Sequence, residues 1–142
     1  MGRLEEQIEI DVPAEQVWDQ LHRIDEYPRF VDGVRSALAE RDNRAHFDVG
    51  IGGEQRGFDT QLTDSGGQVL AWETTGGSPE LKGAFAVRAL DSAHCELQAR
   101  LEYDADELRA AFGGPKGFAQ VRAVEQAVRT DLEQFKDLVE HR

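Results

Sequence analysis

From Val34 to Tyr103 the chain runs in short apolar-polar alternations broken by Asp42-Asn43, Gly52-Gly53, Gly66-Gly67, Gly76-Gly77 and Asp91-Ser92. A period of two marks half-buried strands, and turn-forming pairs between such runs mark antiparallel neighbours. Six strands fit between and around these breaks. One face gathers Phe47, Val49 and Ile51, then Phe58, Thr60 and Leu62, then Leu70, Trp72 and Thr74. It continues through Phe85, Val87 and Ala89, and through Cys95, Leu97, Ala99, Leu101 and Tyr103. The other face carries Asp48, Asp59, Gln61, Glu73, Arg88, Glu96, Gln98, Arg100 and Glu102, so the sheet is predicted to be covered on one side only.

The flanking segments supply the cover. Leu4 to Val12 places Ile8, Ile10 and Val12 at every second position, which predicts a seventh strand. Pro13 then opens a short helix, with Glu15 at its positive end and Val17, Trp18 and Leu21 as its apolar stripe. A second short helix or turn is expected over residues 24–33, with Tyr27, Phe30 and Val31 facing inward around Pro28. From about Phe118 to Glu140, Val121, Val124, Val128, Leu132, Phe135, Leu138 and Val139 recur at helical spacing. Such a helix spans ~34 Å at ~1.5 Å per residue, enough to cross the whole apolar face.

Composition narrows the partners. The formal net charge of −12 is spread along the chain, and no basic stripe interrupts it, which argues against a nucleic-acid partner. No apolar run has the ~18 residues of a membrane span, and Met1-Gly2-Arg3-Leu4-Glu5-Glu6 lacks a secretory core, so a cytoplasmic location is expected. The single cysteine, Cys95, cannot form an internal disulfide. Without repeats, and with Phe112-Gly113-Gly114-Pro115-Lys116-Gly117 too near the C-terminus to divide the chain, one domain over residues 1–142 is expected.

A curved sheet gripping one long helix encloses more space than side chains readily fill, so an apolar cavity is predicted between them. Ile8-Glu9-Ile10-Asp11-Val12-Pro13-Ala14-Glu15-Gln16-Val17-Trp18, Tyr27-Pro28-Arg29-Phe30 and Asp131-Leu132-Glu133-Gln134-Phe135-Lys136-Asp137-Leu138-Val139-Glu140 resemble the START-like superfamily. Ile51-Gly52-Gly53, Arg56, Phe58-Asp59, Ala71-Trp72 and Leu101-Glu102-Tyr103 also resemble its bacterial polyketide cyclase/dehydrase-like members, which include relatives of coenzyme Q-binding proteins. The resemblance spans nearly the whole chain. It implies an α+β helix-grip fold, with a curved seven-stranded antiparallel sheet around a long C-terminal helix and two short helices after the first strand. It also implies a cavity for an apolar ligand, in a superfamily whose roles range from lipid carriage to ring closure.

Candidate polar anchors follow from strand parity. Arg56 shares the parity of Phe58, Thr60 and Leu62, so it either takes a structural or rim role, paired with Glu6 as a candidate or tipped into solvent at the strand end, or holds a ligand carboxylate, phenolate or carbonyl. Tyr103 and Tyr27 offer phenols for polarising a ketone or protonating a leaving hydroxyl, but ordinary amphipathic packing is the preferred account of both. Trp72 is either core or a stacking surface. His22, His46, His94 and His141 lack metal-ligand spacing, and Gly50 and Gly52 begin no complete dinucleotide fingerprint, so neither a metal nor another cofactor is expected. His94 and Cys95 point to opposite faces of a strand and form no nucleophile-base pair.

The leading expectation is a binding module for an apolar or aromatic small molecule, lipid, quinone or polyketide-like. Its candidate ligand contacts are Arg56, Phe58, Trp72, Phe85, Leu101, Tyr103, Val121 and Val128. Phe47, Leu70, Leu97 and Leu132 complete the enclosure. A polyketide cyclase or dehydratase working in the same cavity is the alternative, with no catalytic constellation marked in the residues. A groove for a partner segment is the third reading. The pattern fixes no oligomeric state.

Overall fold

The computed structural model describes residues 2–31, 33–51, 54–64, 66–75, 80–104 and 117–141. The first strand, β1 (Gly2–Ile10), leads into α1 (Ala14–Leu21) and a 3-10 helix (Ile24–Arg29). Six strands follow, β2 (Val34–Glu40), β3 (Arg44–Ile51), β4 (Glu54–Asp64), β5 (Val69–Thr74), β6 (Leu81–Ala89) and β7 (Cys95–Tyr103), before the long helix α2 (Gly117–Glu140). They form one seven-stranded sheet in the order β1-β7-β6-β5-β4-β3-β2, antiparallel at every pairing and open between β1 and β2. The α+β helix-grip architecture expected from the sequence is therefore present.

Turn chemistry explains the hairpins. Asp42 and Asn43 both take left-handed conformations, at φ 61° and 58°, at the centre of a turn in which the Arg44 N–H donates to the Arg41 carbonyl at 3.3 Å, and that twist suits the flanking strands. Between β4 and β5, Gly66, Gly67 and Gln68 are left-handed, and the Asp64 carboxylate accepts the Gly66 N–H at 3.1 Å. The turns expected at Gly52-Gly53 and Gly76-Gly77 lie outside the described residues. On the edge strand β2, a bulge between Val34 and Ser36 shifts the register, a device that discourages edge-to-edge pairing.

Two boundaries differ from expectation. β1 ends at Ile10 rather than Val12, because the Asp11 N–H leaves the ladder and donates to Glu140 Oε2 at 2.8 Å. Val12 remains buried against the core as the chain turns into α1. The second short element is a 3-10 helix, a geometry that admits Pro28, and it buries Tyr27 and Phe30 as expected.

The packed core lies toward the end of the sheet where β1, β6 and β7 meet α1 and the C-terminal half of α2. Ile10, Val17, Leu21, Cys95, Leu97 and Phe135 are fully enclosed there. The helix end is pinned electrostatically: Lys136 pairs with Glu140 and lies 3.8 Å from Asp11. Glu6, on the inner face of β1, reaches Arg129 of α2, with Oε1 and Nε 3.0 Å apart. Arg129 thus takes the place proposed for Arg56, since α2 runs directly against β1 whereas Arg56 lies on β4, across the sheet.

Candidate functional site

Between the sheet and α2, away from the packed end, side chains leave a cavity of about 340 Å³. Its sheet wall comes from the inward rows: Phe47 and Val49 on β3, Phe58 and Leu62 on β4, Trp72 on β5, Phe85 on β6, and Ala99 and Leu101 on β7. The helix contributes Val128, Leu132 and Phe135, four or three residues apart and therefore on one face of α2. The 3-10 helix and the residues after it close one side with Tyr27, Phe30 and Val31. Nearly all these groups are apolar, so water in the space would find few partners.

Tyr27 organises the aromatic side. Its ring centroid lies 4.9 Å from Phe30, 5.6 Å from Phe47 and 6.5 Å from Phe85, while Phe30 meets Phe135 edge-to-face at 4.9 Å. The phenol donates to the Leu21 carbonyl at 2.8 Å, which points it toward α1. Burial pushes its acidity far below that of an ordinary phenol. Tyr27 therefore serves the cavity as an aromatic wall and is a poor proton donor to anything within it.

Trp72 owes its position to Gly83, its partner across β5 and β6. A Cβ at residue 83 would stand 2.8 Å from indole Cζ2 and 2.2 Å from the Arg100 carbonyl oxygen. Glycine lets the indole lie against the neighbouring strand, leaving the space above it to the cavity.

Polar groups on the wall are few. The Thr74 hydroxyl accepts the Leu81 N–H at 3.0 Å and donates to the Leu81 carbonyl at 3.3 Å, so it is used within the sheet. Thr60, only 4% exposed, stands between Phe58 and Leu62 in the inward row of β4. Half-buried Asp131 contributes the helix's carboxylate to the lining. Arg100 turns its guanidinium to Glu5 on the solvent face, Nε to Oε1 3.3 Å.

The candidate ligand contacts read from the sequence separate in space. Phe58, Trp72, Phe85, Leu101 and Val128 lie on the cavity wall. Arg56 is exposed near the start of β4 and off the wall. Tyr103 is 3% exposed at the end of β7, off the wall, where burial first and the Glu125 charge second hold its phenol protonated. The Val121 side chain lies outside what the structure describes. Leu70 belongs to the packed core.

Thr60 and Asp131 were not singled out from sequence. Their signals are present, a hydroxyl in an otherwise apolar inward row and an acid three residues after Val128 and four before Phe135. Elsewhere, His46 lies between Asp59 and Asp48 on the solvent face of β3 and β4, and His94 bonds Asp91. Among the described residues no three His, Cys, Asp or Glu side chains are grouped to hold a metal ion.

An open antiparallel sheet closed by a long C-terminal helix over an apolar cavity defines a START-like, helix-grip protein. The comparisons agree: the chain aligns over 99% of its length with ZhuI aromatase/cyclase from Streptomyces sp. R1128, covering 94% of that chain at TM-score 0.80 and 18% identity. It likewise aligns over 98% with a START superfamily protein from Mycobacterium smegmatis, covering 97% of it at TM-score 0.77 and 16% identity. The di-domain ARO/CYC BexL, of the BE-7585A biosynthetic pathway, matches 99% of this chain at TM-score 0.75 and 23% identity, and the chain spans 47% of that protein. An uncharacterised 17.2 kDa protein from Streptomyces lincolnensis is 28% identical over 143 aligned positions, which cover 100% of this chain and 92% of that protein. Residues 1–140 match the family described as polyketide cyclase/dehydrase and lipid transport, and the chain belongs to that family.

Proposed function

We propose that this protein binds an apolar or aromatic small molecule, such as a lipid, a quinone or a polyketide-like compound, between the sheet and α2. The observation that carries the reading is the cavity of about 340 Å³ walled by apolar side chains. An unfilled apolar space of this size costs dispersion energy in the empty protein, a cost that an apolar occupant offsets. The family's description, which includes lipid transport, supports the reading. Native mass spectrometry of freshly purified protein, followed by organic extraction, tests it. A released hydrophobic compound that raises the melting temperature when added back is expected. A protein that emerges empty and gains no thermal stability from any lipid, quinone or polyketide offered would refute it.

A cyclase or dehydratase acting in the same space is the second reading, favoured by the aromatase/cyclase names of ZhuI and BexL. In such a reaction an apolar wall folds a poly-β-ketone chain, and proton transfer needs an acid or base within reach of the bent chain. This reading assigns that part to Asp131, whose carboxylate belongs to the described lining. Conversion of a poly-β-ketone or β-hydroxy ketone, abolished by Asp131→Asn while ligand binding persists, would support turnover. Binding without product would leave the carrier role.

A further inference from the structure

The hydrogen-bonding groups of the described wall are almost all committed within the protein. Tyr27 donates to Leu21, the Thr74 hydroxyl exchanges bonds with Leu81, and Arg100 turns to Glu5. Thr60 differs. Its main chain is fixed in the ladder on both sides, opposite Ala45 and opposite Thr74, so the side chain has a rigid base. It is buried to 4% exposure, yet its hydroxyl makes no hydrogen bond among the described residues. Nor is that oxygen among the sealed-off polar atoms, where Gln20 Nε2 is found; it therefore opens onto the cavity.

We propose that Thr60 Oγ1 is the polar anchor of the cavity, placed to bond an uncharged apolar ligand through one carbonyl or hydroxyl oxygen. The inference rests on the reading of the cavity as a ligand site and specifies what that ligand carries. One hydroxyl can donate to a ketone or accept from an alcohol, and a single such bond orients an otherwise apolar molecule. The ligand is uncharged because a carboxylate buried here would be desolvated, while the basic residue of the described wall, Arg100, is paired on the far face. A phosphate or fatty-acid headgroup would meet the same opposition.

Three probes of one shape separate these terms: 2-acetylnaphthalene, 2-ethylnaphthalene and 2-naphthoate, with affinities measured by equilibrium dialysis against the full-length protein. Wild type is expected to prefer the ketone to the hydrocarbon by about fivefold to tenfold, the worth of one buried hydrogen bond, and to bind the carboxylate most weakly. Thr60→Val should erase the ketone's advantage and leave 2-ethylnaphthalene unchanged, while Thr60→Ser should retain it. The ligand-free melting temperature of Thr60→Val should equal or exceed that of wild type, because an unpaired buried hydroxyl is removed. A lower melting temperature, or equal losses for ketone and hydrocarbon, would mean that Thr60 acts structurally and would overturn the anchor. Wild type that binds the hydrocarbon with no preference for the ketone would overturn the anchor alone. Failure to bind either neutral probe would bring down the cavity reading and the anchor with it.

Discussion

Leu62 and Leu70 permit a controlled comparison. They sit on the same sheet face, on β4 and β5, and close to one another, since Leu62 pairs with Trp72 and Asp64 with Leu70. Leu70 is 3% exposed within the packed core, whereas Leu62 is half-buried on the cavity wall. Truncating a fully packed leucine to alanine costs about 3 kcal/mol or more, because transfer energy is lost and a new void appears among neighbours that relax only partly. At Leu62 part of the side chain already faces open space, so its removal enlarges an existing void and breaks fewer contacts, costing about 1 kcal/mol. The expected difference of ~2 kcal/mol corresponds to several degrees in melting temperature for a domain of this size. Urea denaturation followed by tryptophan fluorescence and far-UV circular dichroism reads it, provided the slope with denaturant is unchanged between variants. If Leu62→Ala and Leu70→Ala were equally destabilising, the space beside Leu62 would be filled by protein, and the cavity argument would collapse.

Other tests address the periphery. The hydrogen bond to Asp59 raises the His46 pKa most, desolvation opposes it, and the hydrogen bond to Asp48 and the attraction of both carboxylates add to the rise. Its stabilising contribution is therefore complete below the unperturbed value of 6.5 and fades as pH rises through the folded-state value. In His46→Gln that part of the pH dependence of stability should vanish, and an unchanged profile would contradict the assignment. Gly83→Ala, which drives a Cβ against the Arg100 carbonyl and the Trp72 indole, should cost about 1–3 kcal/mol and alter the near-UV tryptophan signal. A neutral effect would show that β6 tolerates a side chain there. Removing the hydrogen bond to Leu21 in Tyr27→Phe should cost ~1 kcal/mol in urea denaturation and leave the affinity for an apolar probe intact. Loss of binding instead would place the phenol in contact with ligand.

Much of this architecture is legible because periodicity reports directly on which side of an element is covered. The rows Phe58-Thr60-Leu62 and Cys95-Leu97-Ala99 face inward as their spacing predicts, and Leu132, Phe135 and Val139 bury one side of α2. Arg56 marks the boundary of that logic: it shares the inward parity of Phe58 and Thr60 yet is exposed near the strand end, because parity gives a direction and not the extent of the covered area. The end of β1 was illegible for another reason, since the Asp11 N–H is captured by Glu140, 129 residues away. Thr60 and Asp131 are ordinary residues in amphipathic patterns, and only the curvature of the sheet and the path of α2 put them on the same wall. The need for glycine at residue 83 is equally hidden, since it lies in the carbonyl of a different strand and the indole of Trp72.

The strand order also has a kinetic side. Every neighbouring pair from β2 to β7 is consecutive in sequence, so those hairpins can form as the chain lengthens. β1 is the exception: its partner is β7, with Ile10 opposite Cys95 and Gly2 opposite Tyr103. At ~5–20 residues per second of synthesis, a separation of about 85 residues leaves β1 unpaired for roughly 4 to 17 s. During that interval Ile8 and Ile10 belong to a strand with both edges free, the kind of segment that associates with other chains. Docking of β1 onto β7 closes the longest loop in the sheet and gives α2 its Glu6 and Asp11 contacts, so β1 and α2 complete the fold together.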